Sequence, residues 1–150
     1  MKNGPLLHVD DDEDDVTFLA LAFEEVGITN PVHVVRDGQE AIDFLKAVLE
    51  RGQTSQAVPV LIMLDLKLPR IMGLDVLRWI RQQPVLRKLP VLVLSASDHP
   101  MDLSQAREVG ASAYFVKPCS LDKRTDFARL LKLWLMDAGE LPNSPESAFG

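Results

Sequence analysis

Three consecutive aspartates, Asp10, Asp11 and Asp12, follow directly on the apolar run Leu6–Val9. A further aspartate, Asp65, follows the run Val58–Leu64; Ser95 follows Leu89–Leu94; Lys117 follows Ala113–Val116, with Pro118 next. If the runs are neighbouring strands, carboxylates, a hydroxyl and an ammonium meet at one sheet edge. Clustered carboxylates repel and raise one another's pKa values unless a cation lies among them. An all-oxygen donor set without His or Cys selects a hard ion, Mg²⁺ or Ca²⁺, over zinc. Mg²⁺ takes one or two carboxylates, keeps several waters and completes its shell with phosphate oxygens, which points to phosphoryl chemistry. Lys117 would pair with one phosphoryl oxygen and the Ser95 hydroxyl would donate to another. Asp65, ending a buried central run and facing a metal held by Asp10 and Asp11, is the best nucleophile. Its carboxylate would attack phosphorus and become an acyl phosphate.

A plainer reading stands beside this one. The acidic run Asp10–Asp15 can be a solvated helix start, with Asp12 as N-cap and Glu13, Asp14 and Asp15 near the positive end of the helix dipole. That accounts for Glu13 and Asp14, and largely for Asp15. It leaves unexplained why Asp10 and Asp11 directly end an apolar strand, and it does not reach Asp65.

The elements that must position these residues are legible from patterning. The runs VPVLIML and LPVLVL are apolar at nearly every position instead of alternating, as in strands buried on both faces of a parallel sheet. Helical spacing fills the intervals. Val16, Leu19, Ala20, Phe23 and Val26 form one stripe ending at Gly27, and Ile42, Leu45 and Leu49 form a second. Leu74, Leu77 and Ile80 form a third, and Leu103, Ala106 and Val109 a fourth, before Gly110. A last helix over about 121–137 carries Phe127, Leu130, Leu131, Trp134 and Leu135. Strict βα alternation predicts a doubly wound α/β domain with five parallel strands in the order 2-1-3-4-5. Residues 51–57 read as a polar connection, and 139–150, rich in Pro, Ser and Gly, as a loose flexible tail after a domain of residues 1–138.

Composition narrows the function classes. The 150 residues are 47% hydrophobic and 25% charged, as in globular proteins, with net charge −6. That acidity argues against nucleic-acid binding, which favours a basic face. No apolar run approaches the roughly 20 residues needed to span a bilayer, and the N-terminus lacks a secretory apolar stretch. One cysteine, Cys119, allows no internal disulfide, so a reducing, cytoplasmic setting is expected.

Four segments, Val9–Asp12, Met63–Gly73 (MLDLKLPRIMG), Leu94–Ser97 and Gly110–Pro118 (GASAYFVKP), together resemble a response-regulator receiver domain, the phospho-accepting module of two-component signalling. The resemblance covers nearly all of residues 5–138. It implies that Asp65 receives a phosphoryl group from a sensor histidine kinase. Asp10 and Asp11 would hold Mg²⁺, Asp11 more directly, with Asp65 and the backbone carbonyl of Lys67 as further ligands. It implies that Ser95 and Lys117 bind the phosphoryl group, that Tyr114 is the switch aromatic answering Ser95, and that the Lys117–Pro118 bond is cis. Gly73 would serve the turn before the third helix, where a side chain would crowd the backbone. Leu68 replaces the family's Met before the loop proline, a volume-conserving change. The long connection near residues 52–57 and the extended last helix are similar to stand-alone receivers that partner bacterial phytochromes.

The resemblance implies a signalling module, not an independent enzyme, whose output is a change in the face formed by the fourth helix, fifth strand and fifth helix. No DNA-binding or catalytic segment follows residue 138 in these 150 residues, so the expected output is a protein contact. Leu133 and Met136 widen the apolar arc of the last helix, marking it for homodimerisation or partner docking, unless the tail covers it. Three rival functions fit the residues less well. A Mg²⁺-dependent phosphatase would want an acid two residues after the nucleophile, where Lys67 stands. A flavodoxin would want a hydroxyl-rich phosphate loop where this chain has acids. A pseudo-receiver binding partners without phosphorylation is the alternative, against which the complete residue set argues.

Overall fold

The computed structural model describes residues 1–50 and 58–144, so the polar connection proposed at 51–57 lies outside the described residues. Five strands, β1 (Leu6–Val9), β2 (Val32–Val35), β3 (Leu61–Leu64), β4 (Val91–Ser95) and β5 (Ala113–Val116), alternate with five helices. These are α1 (Glu13–Val26), α2 (Gly38–Glu50), α3 (Gly73–Gln82), α4 (Pro100–Val109) and α5 (Leu121–Leu135). The sheet is parallel throughout, in the order β2-β1-β3-β4-β5. This is the flavodoxin-like architecture expected from the alternation.

Central strands β1, β3 and β4 are buried at every position, the physical origin of their unbroken apolar sequences. Alternate residues feed two cores. Leu7, Val9, Ile62 and Leu64 pack with Leu45, Leu77 and Ile80 of α2 and α3. Leu6, Leu61, Met63 and Leu94 pack with Leu19 and Phe23 of α1 and Phe127 and Leu131 of α5. In α1 the buried alanine is Ala22, with Ala20 exposed, because the inward stripe is centred on Leu19 and Phe23. Leu130, expected inward in α5, is exposed, while Phe127, Leu131 and Leu135 fill the core. Gly27 ends α1 at φ 83°, a left-handed conformation that glycine adopts without steric cost.

Gly73 opens α3 where the chain passes close behind the end of β3. A Cβ there would lie 2.2 Å from the Asp65 carbonyl oxygen and 2.7 Å from Leu66 Cα. Both obstacles are backbone, so the loop itself would have to move. Gly73→Ala is expected to lower stability by about 1–3 kcal/mol, as overpacking does. A lower urea midpoint at unchanged slope checks it; an unshifted midpoint contradicts it.

Two expectations need correction. The segment after 138 is not loose as far as it is described. The Ser144 N–H donates to the Tyr114 carbonyl at 2.9 Å. Tyr114 N–H donates to Asn143 Oδ1 at 3.2 Å, and Val116 N–H to Ser144 Oγ at 2.8 Å. Its Asn and Ser side chains supply acceptors that composition alone reads only as polarity. The Lys117–Pro118 bond, expected cis, is trans. Trans is the more stable isomer of an X–Pro bond by about 0.5–1 kcal/mol, and the Lys117 side chain reaches the acids from it (below).

Candidate functional site

The loops leaving β1, β3, β4 and β5 open on the carboxyl edge of the sheet. Asp10 follows β1 and is fully buried; its N–H donates to the Val35 carbonyl, which continues the strand ladder. Asp65 follows β3, with its N–H donating to the Val9 carbonyl, and is 7% exposed. The sheet therefore fixes both backbones. Asp11 is exposed beside them, and carboxylate oxygens of Asp10, Asp11 and Asp65 lie within 4.8 Å of one another.

Lys117, leaving β5, crosses to this cluster. Its Nζ stands 2.8 Å from Asp15 Oδ2, 2.9 Å from Asp10 Oδ2 and 3.0 Å from Asp65 Oδ2. The contacts with Asp15 and Asp65 are hydrogen bonds; that with Asp10 is an ion pair outside hydrogen-bond alignment. Burial disfavours the ammonium, but its three carboxylate partners outweigh this and hold it above the usual lysine range.

The two buried acids are pushed in opposite directions. For Asp10, burial raises the pKa, but His8, the Asp12 N–H and Lys117 together bring the carboxyl down to about 2. For Asp65, burial dominates and raises it against the pull of Lys117, with the Asp10 charge adding to the rise. One ammonium among the carboxylates of Asp10, Asp11, Asp15 and Asp65 leaves an excess of negative charge. Those oxygen donors, with no sulfur or imidazole among the grouped ligands, fit a hard divalent cation.

The remaining predicted residues surround this centre. Lys67 N–H donates to Asp65 Oδ1 at a long 3.4 Å, which puts the Lys67 peptide beside the carboxylate. Ser95 ends β4 and is buried; its Oγ accepts the Ser97 N–H at 3.2 Å, and its carbonyl accepts the Lys117 N–H at 2.7 Å. Tyr114 is fully buried on β5 against Leu66, Val93 and Leu103, and its hydroxyl donates to the Ser97 carbonyl at 2.8 Å. Burial lifts the Tyr114 pKa. Asp12 faces the helix: its Oδ1 accepts from Asp14 N–H and Asp15 N–H at 2.9 and 3.2 Å, as an N-cap. Cys119 is exposed and unbridged.

Asp15, largely accounted for by the helix start, is also a direct partner of Lys117 and lies 3.8 Å from Arg124 of α5. The available signal was its place in the first turn, which turns a side chain back toward the end of β1. His8 is buried, with Nε2 3.6 Å from Asp10 Oδ2.

A doubly wound sheet whose carboxyl edge gathers acids around a buried lysine defines a flavodoxin-like α/β domain with an acidic, cation-compatible pocket. The chain matches the response regulator receiver domain over residues 6–129 and belongs to that family. It is thus a receiver of two-component signalling, a family of signalling modules rather than typical enzymes. It is 34% identical to the probable methanogenesis regulatory protein FilR2 of Methanothrix harundinacea, over 87% of this chain and 83% of that one. It is 36% identical to the alkaline phosphatase synthesis transcriptional regulatory protein PhoP of Bacillus subtilis, over 79% of this chain but only 44% of that one. Among solved structures it is similar to the phosphorylated cyanobacterial phytochrome response regulator RcpA (28% identity, TM-score 0.79, 94% of this chain and 99% of that one). The Mn²⁺-bound form of response regulator Rcp1 matches at 27% identity and TM-score 0.77, over 93% of this chain and 99% of that one. The bacteriophytochrome response regulator RtBRR matches at 35% identity and TM-score 0.67, over 98% and 87%. Among the described residues no helix is long and apolar enough to cross a membrane.

Proposed function

We propose that this receiver accepts a phosphoryl group on Asp65 from a sensor histidine kinase, with Mg²⁺ as the required ion. The observation that carries the reading is the convergence of Asp10, Asp11 and Asp65, with Lys117 Nζ 3.0 Å from Asp65 Oδ2. A carboxylate oxygen of Asp65 attacks phosphorus, the bond from phosphorus to the kinase imidazole breaks, and the imidazole departs with its electron pair. Asp10, Asp11, Asp65 and the Lys67 carbonyl would hold Mg²⁺, which when bound neutralises charge on the phosphoryl oxygens. Lys117 supplies a second cation at the same oxygens. Water later cleaves the acyl phosphate, so the only turnover is on the chain's own carboxylate.

The signal comes from contacts made only after transfer. The Ser95 hydroxyl turns from its loop to a phosphoryl oxygen, and Tyr114, bound to the Ser97 carbonyl of that loop, reports the movement to the α4–β5–α5 face. A group that binds both states equally would shift nothing. Similarity to RcpA and RtBRR, whose names tie them to phytochromes, favours a bacterial phytochrome as the kinase. Exposed Leu133 on α5 and Met136 at its C-cap mark the contact for a homodimer. An unbridged cysteine suits the cytoplasm.

Incubation with Mg²⁺ and acetyl phosphate is expected to add one phosphoryl group per chain by intact-mass measurement. Chelation, or Asp11→Ala, is expected to abolish that addition. No adduct under saturating donor and Mg²⁺ would instead favour a partner-binding module that works without phosphorylation.

A further inference from the structure

His8 and Asp10 lie two residues apart on β1 and its extension, so their side chains leave the same face of the sheet. Both are buried, at 3% and 0% exposure. Among the described residues, His8 Nε2 and Asp10 Oδ2 are the two buried side-chain polar atoms with no hydrogen-bond partner, and they face each other at 3.6 Å. An imidazole N–H is a donor and a carboxylate oxygen an acceptor, so Oδ2, already ion-paired with Lys117 Nζ at 2.9 Å, is the acceptor on hand for the unpartnered Nε2. The cavity beside them is about 20 Å³ and bordered by Asp15, Leu19 and Arg124. It has room for about one water, so neither atom can turn to bulk solvent for a partner. Leu19 and Leu94 line the same cavity beside the charged side chains of Asp15, Lys117 and Arg124.

We propose that His8 is a positioning residue for the cation site: its Nε2–H holds Oδ2 of Asp10 from behind. That leaves the carboxylate oriented toward Asp11 and Asp65. The inference rests on the proposed Mg²⁺ reading and adds to it a residue that offers the ion no ligand. Groups that orient a metal-binding side chain through its second oxygen or nitrogen typically change metal affinity 10–100-fold when removed.

The test measures the Mg²⁺ dissociation constant of the full chain by titration calorimetry, without any phosphoryl donor, with circular dichroism to confirm folding. His8→Leu is expected to weaken Mg²⁺ binding on the order of 10-fold. His8→Gln, whose amide nitrogen stands where Nε2 stood, is expected to recover most of that loss. A merely structural histidine would lower thermal stability in both variants and restore no affinity in the second. The proposal is overturned if folded His8→Leu binds Mg²⁺ like the natural chain, or if His8→Gln is as weak as His8→Leu. Should His8→Leu not fold, His8→Met, an apolar side chain of similar reach, takes its place with the same outcomes. Asp10→Asn separates the two readings. If it binds Mg²⁺ undiminished, the ion does not use this site and the functional reading fails; if it weakens binding while His8→Leu does not, only the role of His8 falls.

Discussion

Asp65→Asn is expected to take up no phosphoryl group from acetyl phosphate, while folding at least as well as the natural chain. An amide oxygen has the shape of the carboxylate oxygen but too little charge to attack phosphorus, so the loss is complete instead of graded. The stability half follows from electrostatics. Burial raises the Asp65 pKa in the folded state, so the ionised carboxylate is a liability at neutral pH that the amide removes. The Lys117 contact it gives up is one of three, and Asp10 and Asp15 keep the ammonium paired. The two halves are read separately, by intact mass after donor treatment and by the thermal midpoint. Full labelling of the variant would move the acceptor to another residue. A large fall in midpoint would show that Asp65 is held for structure.

Lys117→Met carries the second large effect, here on stability. The lysine side chain is 13% exposed and lies against carboxylates of Asp10, Asp15 and Asp65. Removing one partner of a buried ion cluster leaves uncompensated charges, a loss of about 3–5 kcal/mol. The pH dependence has a definite sign. Without the ammonium, Asp65 rises further and Asp10 loses the Lys117 contact that helps hold it low. Carboxyl groups with raised folded pKa values bind more protons folded than unfolded, so stability falls as pH rises through those values. The gap between Lys117→Met and the natural chain should therefore narrow as urea unfolding is moved from pH 7 towards pH 5. Saturating Mg²⁺ should narrow it at pH 7, by placing a cation among the same oxygens. A gap that widens at the lower pH would mean that the acids are not paired as described.

The strands show which part of this was readable beforehand. Unbroken apolar runs in β1, β3 and β4 follow from burial on both faces, and their polar successors Asp10, Asp65 and Ser95 mark the carboxyl edge because parallel strands end together. The need for Gly73 came only with the family resemblance, and the carbonyl of Asp65 stands in the way of any Cβ there. Asp15 was partly hidden, since an acid in a first helical turn already has a sufficient local explanation. Its pairing with Lys117 spans 102 residues and depends on how α1 packs beside α5 at the end of the sheet. His8 carried no motif at all; its relation to Asp10 appears only when strand alternation and burial act together. Asn143 and Ser144 belong to a composition that reads as a solvated end, and nothing local announces that their side chains answer the N–H groups of Tyr114 and Val116.

Those last contacts have a consequence for how the molecule behaves in company. β5 is the outermost strand on its side, and an outermost strand presents a rim of main-chain donors and acceptors on which another protein's chain can template itself. Asn143 and Ser144 occupy that rim with amide and hydroxyl groups, so the chain sheathes its own seam without adding a sixth strand. Any event that peels this short piece away would give the domain an adhesive flank, next to the buried ring of Tyr114.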